Sequence, residues 1–224
     1  RMARAREALR KEGGEFSGMA VIFDLAEYQV REGGDGYRWQ NEVWLGGDEG
    51  KLVLRSEGEG AFGEPIEMLE LQALYSLPLD PFWDVKLGLR HDVVPNPSRT
   101  HAVVGVEGDA PYWLDVEAMA FLSDKGELTA RIEASYDLRI TQKLILRPST
   151  EIDFSAQDMP DIGVGSGLST VEAGVRLRYE IVPEFAPYLG FEWHRKLGQT
   201  ADYARADGHE AGSSQLVAGV RFWF

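Results

Sequence analysis

Apolar and polar residues alternate along most of this chain, and this period of two is what most restricts the folds available to it. In residues 127–139, ELTARIEASYDLR, every second side chain is apolar and those between them are polar or charged. Residues 143–154 and 170–181 repeat the pattern. A helix would scatter these charges around its circumference, whereas a strand places them all on one face. The alternation therefore predicts β-strands.

Twelve segments follow this pattern, and their lengths and number favour a closed barrel. Most have 9–13 residues, and a tilted strand needs about 9–11 residues to cross a bilayer. Closed antiparallel barrels of bacterial outer membranes have an even number of strands. We predict an all-β fold, a closed antiparallel transmembrane β-barrel of about 12 strands, with a short N-terminal helix. The predicted strands are residues 19–30, 36–46, 51–60, 66–77, 82–92, 100–108, 112–123, 127–139, 143–155, 169–181, 185–196 and 214–224.

The sequence allows a more specific prediction for the first segment and another for the last. In the first, Asp24 and Glu27 have opposite parity, which a β-bulge would explain. The last includes QLVAGVRFWF and has one wholly apolar face. It must pair with the first strand if the barrel is to have no open edge.

The connections between the segments indicate how the barrel is oriented. With both termini in the periplasm, the periplasmic turns are short, and the three longest connections, 93–99, 156–168 and 197–213, fall on the outer side. Residues 1–12, RMARAREALRKE, are rich in helix formers and are followed by two glycines. We therefore predict an N-terminal periplasmic helix or tail over residues 1–14 and an outer-membrane barrel over residues 15–224.

The two faces of the predicted strands differ sharply in polarity. One face is almost free of charge, and in water so large an apolar surface would be an exposed patch, whereas lipid requires it. The charged face is then the lumen, in which acids outnumber bases and cations are favoured. We expect a narrow lumen filled with ion-paired side chains; a wide, water-filled porin is the alternative. The selected lumen charges are Glu57, Glu59, Glu70, Arg90, Glu117, Arg131, Glu133, Arg147, Glu151, Glu172, Arg176 and Glu192.

Composition excludes several classes of function. The net charge of −14 argues against nucleic-acid binding, and the absence of Cys excludes thiolate metal sites and Cys nucleophiles. The sequence lacks about 18 consecutive apolar residues, which a transmembrane helix would need. The mean hydropathy of −0.26 still suits a barrel, because only alternate positions must be apolar. No signal peptide is visible, so we expect a mature or trimmed chain, and we expect a monomer.

Several stretches resemble the copper resistance protein B family. They are LRSEGEG (54–60), LRHD (89–92), APYWLDVEA (110–118), RIEASYDLRITQKLILRP (131–148), and ADYARADG followed by the final VAGVRFWF. The resemblance implies a non-enzymatic barrel in the outer membrane of a Gram-negative bacterium, which binds copper ions in copper resistance and homeostasis. A periplasmic copper-binding protein is a candidate partner. Members usually carry a Met- and His-rich segment before the barrel, but here only Met2 precedes it.

If the chain binds copper, Met and His must supply the soft ligands, because Cys is absent. In the predicted topology all four histidines lie toward the extracellular side. By strand parity His101 and His194 face the lumen and His91 faces outward, and two of the methionines, Met68 and Met119, also have lumen parity. Each of these residues also has a simpler interpretation, without copper. In it, the histidines form hydrogen bonds at the rim or are solvated in loops, and the methionines fill gaps in the packing. The candidate copper ligands are His91, His101, His194, His209, Met68, Met119, Met159 and Asp92.

Other functions are possible for such a barrel. Paired carboxylates can perform acid–base catalysis, but a hydrolase also needs a Ser with a His in reach, and GSGLS (165–169) lacks the context of a nucleophile elbow. We therefore predict a copper-binding protein that is not an enzyme. The alternatives are a general small-solute or cation channel with no specific copper role, and a structural or adhesive barrel.

Overall fold

The computed structural model describes residues 17–31, 34–47 and 49–224. The predicted N-terminal helix lies outside these residues. The described part contains a 3₁₀ helix, Pro160–Ile162, and one α-helix, α1, Gly198–Ala206. Within the described ranges, no helix has the length and apolar character needed to cross a bilayer.

Antiparallel strands form a single closed sheet around the barrel. The strands are β1 Ser17–Val30, β2 Gly36–Gly47, β3 Gly50–Ala61, β4 Ile66–Pro78, β5 Trp83–Val94, β6 Arg99–Ala110, β7 Leu114–Ser123, β8 Leu128–Tyr136, β9 Leu138–Arg139, β10 Leu144–Ser155, β11 Gly167–Tyr179, β12 Phe185–Lys196 and β13 Gly212–Trp223.

The first and last strands pair with each other and close the sheet. Strand β13 pairs with both β12 and β1, and β11 pairs with both β10 and β12, so no edge between β1 and β13 is left open. The short strands β8 and β9 lie end to end along β10, on either side of Asp137, and together take one strand position. The twelve-stranded closed barrel is thus confirmed.

The seam between β1 and β13 closes the barrel through the last residue. Val21 and Phe224 exchange both backbone hydrogen bonds, at 2.9 and 3.0 Å. The register of β1 shifts between Phe23 and Leu25, where the parity change of Asp24 and Glu27 indicated a bulge. Asp24 then accepts a hydrogen bond from Arg221 at 2.8 Å, and Glu27 accepts one from Arg176 at 2.6 Å. The bulge therefore lets both acids of β1 pair with inner-face arginines.

The two ends of the barrel differ in the length of their connections. At one end, here called the short-turn end, the connections include residues 79–82 and 111–113. The opposite, long-loop end carries residues 156–166 and 197–211. Strand β7 begins at Leu114 and not at residue 112 as predicted, because Tyr112 and Trp113 adopt φ values of 69° and 63° in the turn.

A short helix occupies the last long connection, where the sequence pattern predicted only a loop. In α1 the buried residues are Thr200, Ala201 and Ala204. The Thr200 hydroxyl also accepts a hydrogen bond from the backbone N–H of Gly165 at 2.9 Å. The helix is therefore held by the neighbouring long loop and covers part of the long-loop end.

Burial divides the strand residues into an outer and an inner set. In β3, Leu52 and Leu54 are 41% and 42% exposed, whereas Val53 between them is 3% exposed. The outer face carries most of the exposed large apolar side chains, and the inner face carries most of the charges. The inner face also holds an apolar cluster that the charge pattern did not indicate. Its members are Val53, Leu74, Val103, Met119 and Phe121, with Trp44 packed against them.

Candidate functional site

Arg38 links four strands across the inner face. From β2 its guanidinium donates to Glu57 of β3 at 2.7 Å, and it reaches Glu172 of β11 and Glu192 of β12 at 3.3 Å each. Its side chain is 10% exposed. Buried ions are stable only when they are paired or hydrated, so this one cation holds three carboxylates in place.

Arg131 and Arg90 form a second ionic group on the opposite wall. Arg131 lies 2.9 Å from Asp153 and 3.1 Å from Glu151. Arg90 contacts Glu70 at 2.9 Å, and Arg131 also approaches Glu70 at 3.7 Å. The guanidinium of Arg90 further stacks on the ring of Phe121, with a centroid distance of 4.6 Å. These contacts join the ionic group to the apolar cluster.

A third ionic group surrounds Arg55 and Lys86. Arg55 donates to Glu42 and to Glu117, both at 2.8 Å. Lys86 lies 3.1 Å from Glu117 and also pairs with Glu107. Two cations and three carboxylates from five strands therefore share one network on this part of the inner face.

A cavity of about 700 Å³ occupies the barrel interior next to these groups. It reaches the short turns, where Pro81 and Phe82 line it, and extends inward as far as Arg38. Glu70 and Arg131 do not line it. Polar and charged side chains dominate the cavity wall, so it suits water and ions better than apolar ligands.

The twelve lumen charges selected from the sequence all have inner-face positions. Eleven of them make at least one ion pair within 4 Å. The shortest ion pair of Arg147 is 3.5 Å, to Asp137. Glu133 differs: among the described residues it forms no hydrogen bond and no ion pair within 4 Å. Ion-paired side chains therefore fill the region around Glu70, Arg90 and Arg131, whereas the ion pairs of Arg38, Arg55 and Lys86 border an open cavity.

His101 and His91 are neighbours across the β5–β6 ladder but lie on opposite faces. His101 is buried, its Nδ1 is 3.8 Å from the Asp92 carboxylate, and its ring meets Phe121 edge to face. Within the described chain this Nδ1 has no hydrogen-bond partner. His91 is exposed on the outer face, where its Nδ1 bonds the Thr100 hydroxyl at 2.9 Å. The structure therefore does not bring these two histidines together.

The other two histidines lie apart from that pair. His194 in β12 places Nε2 3.8 Å from Glu172, half a circumference away from β6. His209 is exposed in the connection after α1, where its backbone N–H bonds Ala204. Each inner histidine thus has one carboxylate neighbour, and the two pairs occupy different walls.

The methionines are likewise dispersed. Met119 is part of the apolar cluster, Met68 is half-buried near the long-loop end of β4, and Met159 is buried beside the 3₁₀ helix. In the ranges that the structure describes, no three His, Asp or Glu side chains converge in a way that would hold a metal ion. The predicted ligands therefore form separate pairs and single residues, with no preformed multidentate site among them.

Comparison with known sequences identifies one family. A family model described as "Copper resistance protein B precursor (CopB)" matches residues 17–224. The copper resistance protein B homolog of Pseudomonas syringae pv. tomato is 47% identical over 203 residues, which cover 91% of this chain and 69% of that protein. Copper resistance protein B of Escherichia coli is 40% identical over 204 residues, again 91% and 69%.

Comparison with solved structures identifies the same type of barrel. The NanC porin matches with a TM-score of 0.59 at 16% identity, over 92% of this chain and 99% of that one. The KdgM porin matches at 0.55 and 12% identity, with the same coverage. Outer membrane phospholipase A from Escherichia coli matches at 0.54 and 12% identity, over 90% and 89%. Porins and a phospholipase share this fold, so the fold by itself does not decide between transport and catalysis.

Proposed function

The chain belongs to the copper resistance protein B family, and from this premise we propose that it is an outer-membrane protein that binds copper ions on the inner face of its barrel. Family membership supports a role in copper resistance and favours a protein that is not an enzyme. What we propose beyond family membership is the location of the protein, the residues that bind copper and the role of the acidic lumen. A monomeric state and a periplasmic copper-binding partner stay predictions.

The distribution of apolar side chains supports the location in the outer membrane of a Gram-negative bacterium. Outward-facing residues such as Leu71, Leu87 and Leu89 are 43%, 45% and 58% exposed. A continuous apolar surface of this kind is unfavourable in water, but it is required where the strands contact lipid. The porin-like fold is consistent with the same environment.

The single observation that carries the copper proposal is the His101–Asp92 pair. A buried imidazole nitrogen without a hydrogen-bond partner faces a carboxylate 3.8 Å away. A copper ion bound between them would have one nitrogen and one oxygen ligand, a donor set that suits Cu²⁺. The His194–Glu172 pair offers the same donors on the other wall. Met68, Met119, Met159 and His209 are proposed as secondary ligands.

Copper titration of the folded barrel in detergent tests this proposal, with the bound copper measured after removal of free ion. We expect His101→Ala combined with His194→Ala to lose most of the bound copper. The matched control is His91→Ala, because His91 lies on the outer face, and this variant should bind as the wild type does. Equal binding by the double variant and the wild type would contradict the assignment.

A general cation or small-solute channel is the second candidate function. The cavity of about 700 Å³ and the porin-like fold favour it. Conductance across planar bilayers separates the two candidates: a steady open pore that passes sugars supports the channel, whereas a closed or copper-sensitive barrel supports copper handling.

A further inference from the structure

Arg90 engages both carboxylate oxygens of Asp92. Its Nε donates to Oδ1 at 2.7 Å, and its Nη2 donates to Oδ2 at 3.1 Å. Oδ2 is also the oxygen that lies 3.8 Å from Nδ1 of His101. Bidentate contacts between an arginine and a carboxylate are among the strong hydrogen-bonded pairs in proteins. The carboxylate that faces His101 is therefore already held by a cation.

The same guanidinium holds a second carboxylate on the neighbouring strand. Glu70 of β4 is the direct cross-strand partner of Asp92 in β5, and Nη2 of Arg90 lies 2.9 Å from its Oε2. Like charges directly opposite each other destabilise a sheet, so Arg90 relieves the repulsion between these two acids. Because it already contacts both, Arg90 can release Asp92 and stay paired with Glu70.

Nδ1 of His101 gives an independent indication that a ligand belongs at this position. His101 is 5% exposed, and within the described chain its Nδ1 has no hydrogen-bond partner. A buried polar atom normally has one, and 3.8 Å to Asp92 is too long for a hydrogen bond. This nitrogen is also closed off from solvent, so a metal ion can reach it only if a neighbouring side chain moves.

Phe121 connects the guanidinium to the imidazole. Arg90 lies over the face of its ring, 4.6 Å from the centroid, and His101 meets the same ring edge to face, with 6.3 Å between centroids. A cation is attracted to the face of an aromatic ring whatever its other partners are. Phe121 therefore stabilises Arg90 beside His101 without fixing which carboxylate the guanidinium binds.

We propose that Arg90 is a displaceable cation that controls metal binding at His101 and Asp92: a divalent ion binds there as the guanidinium transfers from Asp92 to Glu70. The proposal rests on the proposed function and adds the residue that regulates its site. An ion bound to Asp92 would otherwise lie within a few ångströms of a guanidinium on the same carboxylate, and the two cations would repel each other. After the transfer each cation has a carboxylate of its own.

Arg99 provides a matched comparison for Arg90. It is the direct cross-strand partner of Asp92, but its guanidinium binds Glu127 and Asp161 at the long-loop end. Among the residues that the structure describes, Arg90 is the one arginine that pairs with Asp92. Replacement of either arginine removes one positive charge near the site, but only replacement of Arg90 frees the Asp92 carboxylate.

The copper affinity of variants tests this control. We expect Arg90→Gln to bind Cu²⁺ about tenfold more tightly than the wild type, because the ion no longer competes with a charge-assisted hydrogen bond. Arg99→Gln should change the affinity much less. Glu70→Gln should weaken binding, because Asp92 is then the one carboxylate left to Arg90. Simple loss of structure would weaken binding in both Arg90→Gln and Glu70→Gln.

Equal tightening by Arg90→Gln and Arg99→Gln would overturn the proposal, because net charge alone would then set the affinity. Tighter binding by Glu70→Gln would overturn it as well.

Nuclear magnetic resonance of the wild-type barrel in detergent tests the transfer without any variant. Zn²⁺ is the probe, because it is diamagnetic and accepts the same nitrogen and oxygen ligands. The Nε–H proton of Arg90, assigned by through-bond correlations, reports the hydrogen bond to Asp92. We expect Zn²⁺ to shift the ring nitrogens of His101 and, in the same titration, to move the Arg90 Nε–H signal upfield and accelerate its exchange with water.

A response of His101 with an unchanged Arg90 signal would overturn the transfer and leave the proposed function intact. If Zn²⁺ does not shift the His101 signals and Cu²⁺ does not broaden them, the transfer and the assignment of His101 as a copper ligand are both wrong.

Discussion

Arg38 illustrates how single residues hold the interior together. One guanidinium contacts Glu57, Glu172 and Glu192, and Arg176 supports Glu192 from the side at 3.1 Å. Without Arg38, Glu57 would lose the only ion pair it has within the described chain. The stability of this region therefore depends on one cation more than on any single carboxylate.

Replacement of Arg38 should destabilise the barrel strongly. We expect Arg38→Ala to lower the free energy of unfolding by about 3 kcal/mol, because removing one partner leaves buried charges uncompensated. Arg205→Ala is the control: its pair with Asp202 is exposed on α1, and its loss should change stability by about 0.5 kcal/mol or less. Urea-induced unfolding in lipid vesicles measures both, and equal effects would contradict the account of Arg38.

Strand parity predicted the direction of individual side chains, but not their partners. From the alternation alone, His101 and His194 were placed inward and His91 outward, as the structure has them. The contact of Arg38 with Glu192 joins residues 154 positions apart. That contact depends on the register around the whole barrel, which no local pattern contains.

At the scale of elements, strands and helices differed in how well they could be predicted. Strand ends were predicted to within a few residues because a two-residue period is a local property. The helix α1 was not predicted, since a nine-residue helix is marginal alone and depends on tertiary contacts. The apolar cluster was also missed, because Val53 stands in the wholly apolar run 52–54 and shows no alternation.

Arg99 fastens two connections at the long-loop end to each other. It donates to Glu127, in the β7–β8 turn, at 2.6 Å and to Asp161, in the 3₁₀ helix, at 2.8 Å. The hydrogen bond from Arg99 lowers the pKa of the Glu127 carboxyl below its usual value. A lowered folded-state pKa means that this contribution to stability is complete above the unfolded-state pKa of about 4.3 and is lost as the pH falls through the folded-state value.

Loop 156–166 should therefore loosen in acid and when Arg99 is replaced. We expect Arg99→Gln to increase amide hydrogen exchange in this loop at pH 7, and the wild type to show the same increase when the pH falls through the lowered folded-state pKa of Glu127. Lys125→Gln is the matched comparison. Lys125 also contacts Asp161, at 3.3 Å, but its side chain is 40% exposed, so its replacement should increase exchange much less than Arg99→Gln does. Exchange that is insensitive to Arg99→Gln would show that other contacts hold the loop.

At the scale of the whole molecule, polarity is reversed relative to a soluble barrel. Charges and the cavity are inside, and leucines, valines and aromatic residues are outside. This arrangement was predictable from composition and alternation together, because one strand face is almost free of charge. The alignment of six acids as successive cross-strand partners, from Asp84 of β5 to Glu172 of β11, was not predictable, since it appears only when the register of six strands is known.

The effect on stability of a charge placed on the outer face should show whether lipid or water surrounds that face. Leu89 lies in the middle of β5 and is 58% exposed. We expect Leu89→Arg to lower the free energy of unfolding in lipid vesicles by about 2–4 kcal/mol, whereas His209→Arg, in a loop, should have little effect. If Leu89→Arg were neutral in vesicles, the outer face would not contact the hydrocarbon core.

The central claim is that copper binds to imidazole on the inner face of the barrel. Electron paramagnetic resonance of Cu²⁺ bound to the folded protein tests it most directly, because nitrogen ligands produce a hyperfine coupling that oxygen ligands do not. The account predicts nitrogen coupling in the wild type and in His91→Ala, and a large decrease in this coupling when His101→Ala and His194→Ala are combined, which leaves only the secondary ligand His209 and the outer-face His91. Unchanged coupling in the double variant, or its loss in His91→Ala, would contradict the account.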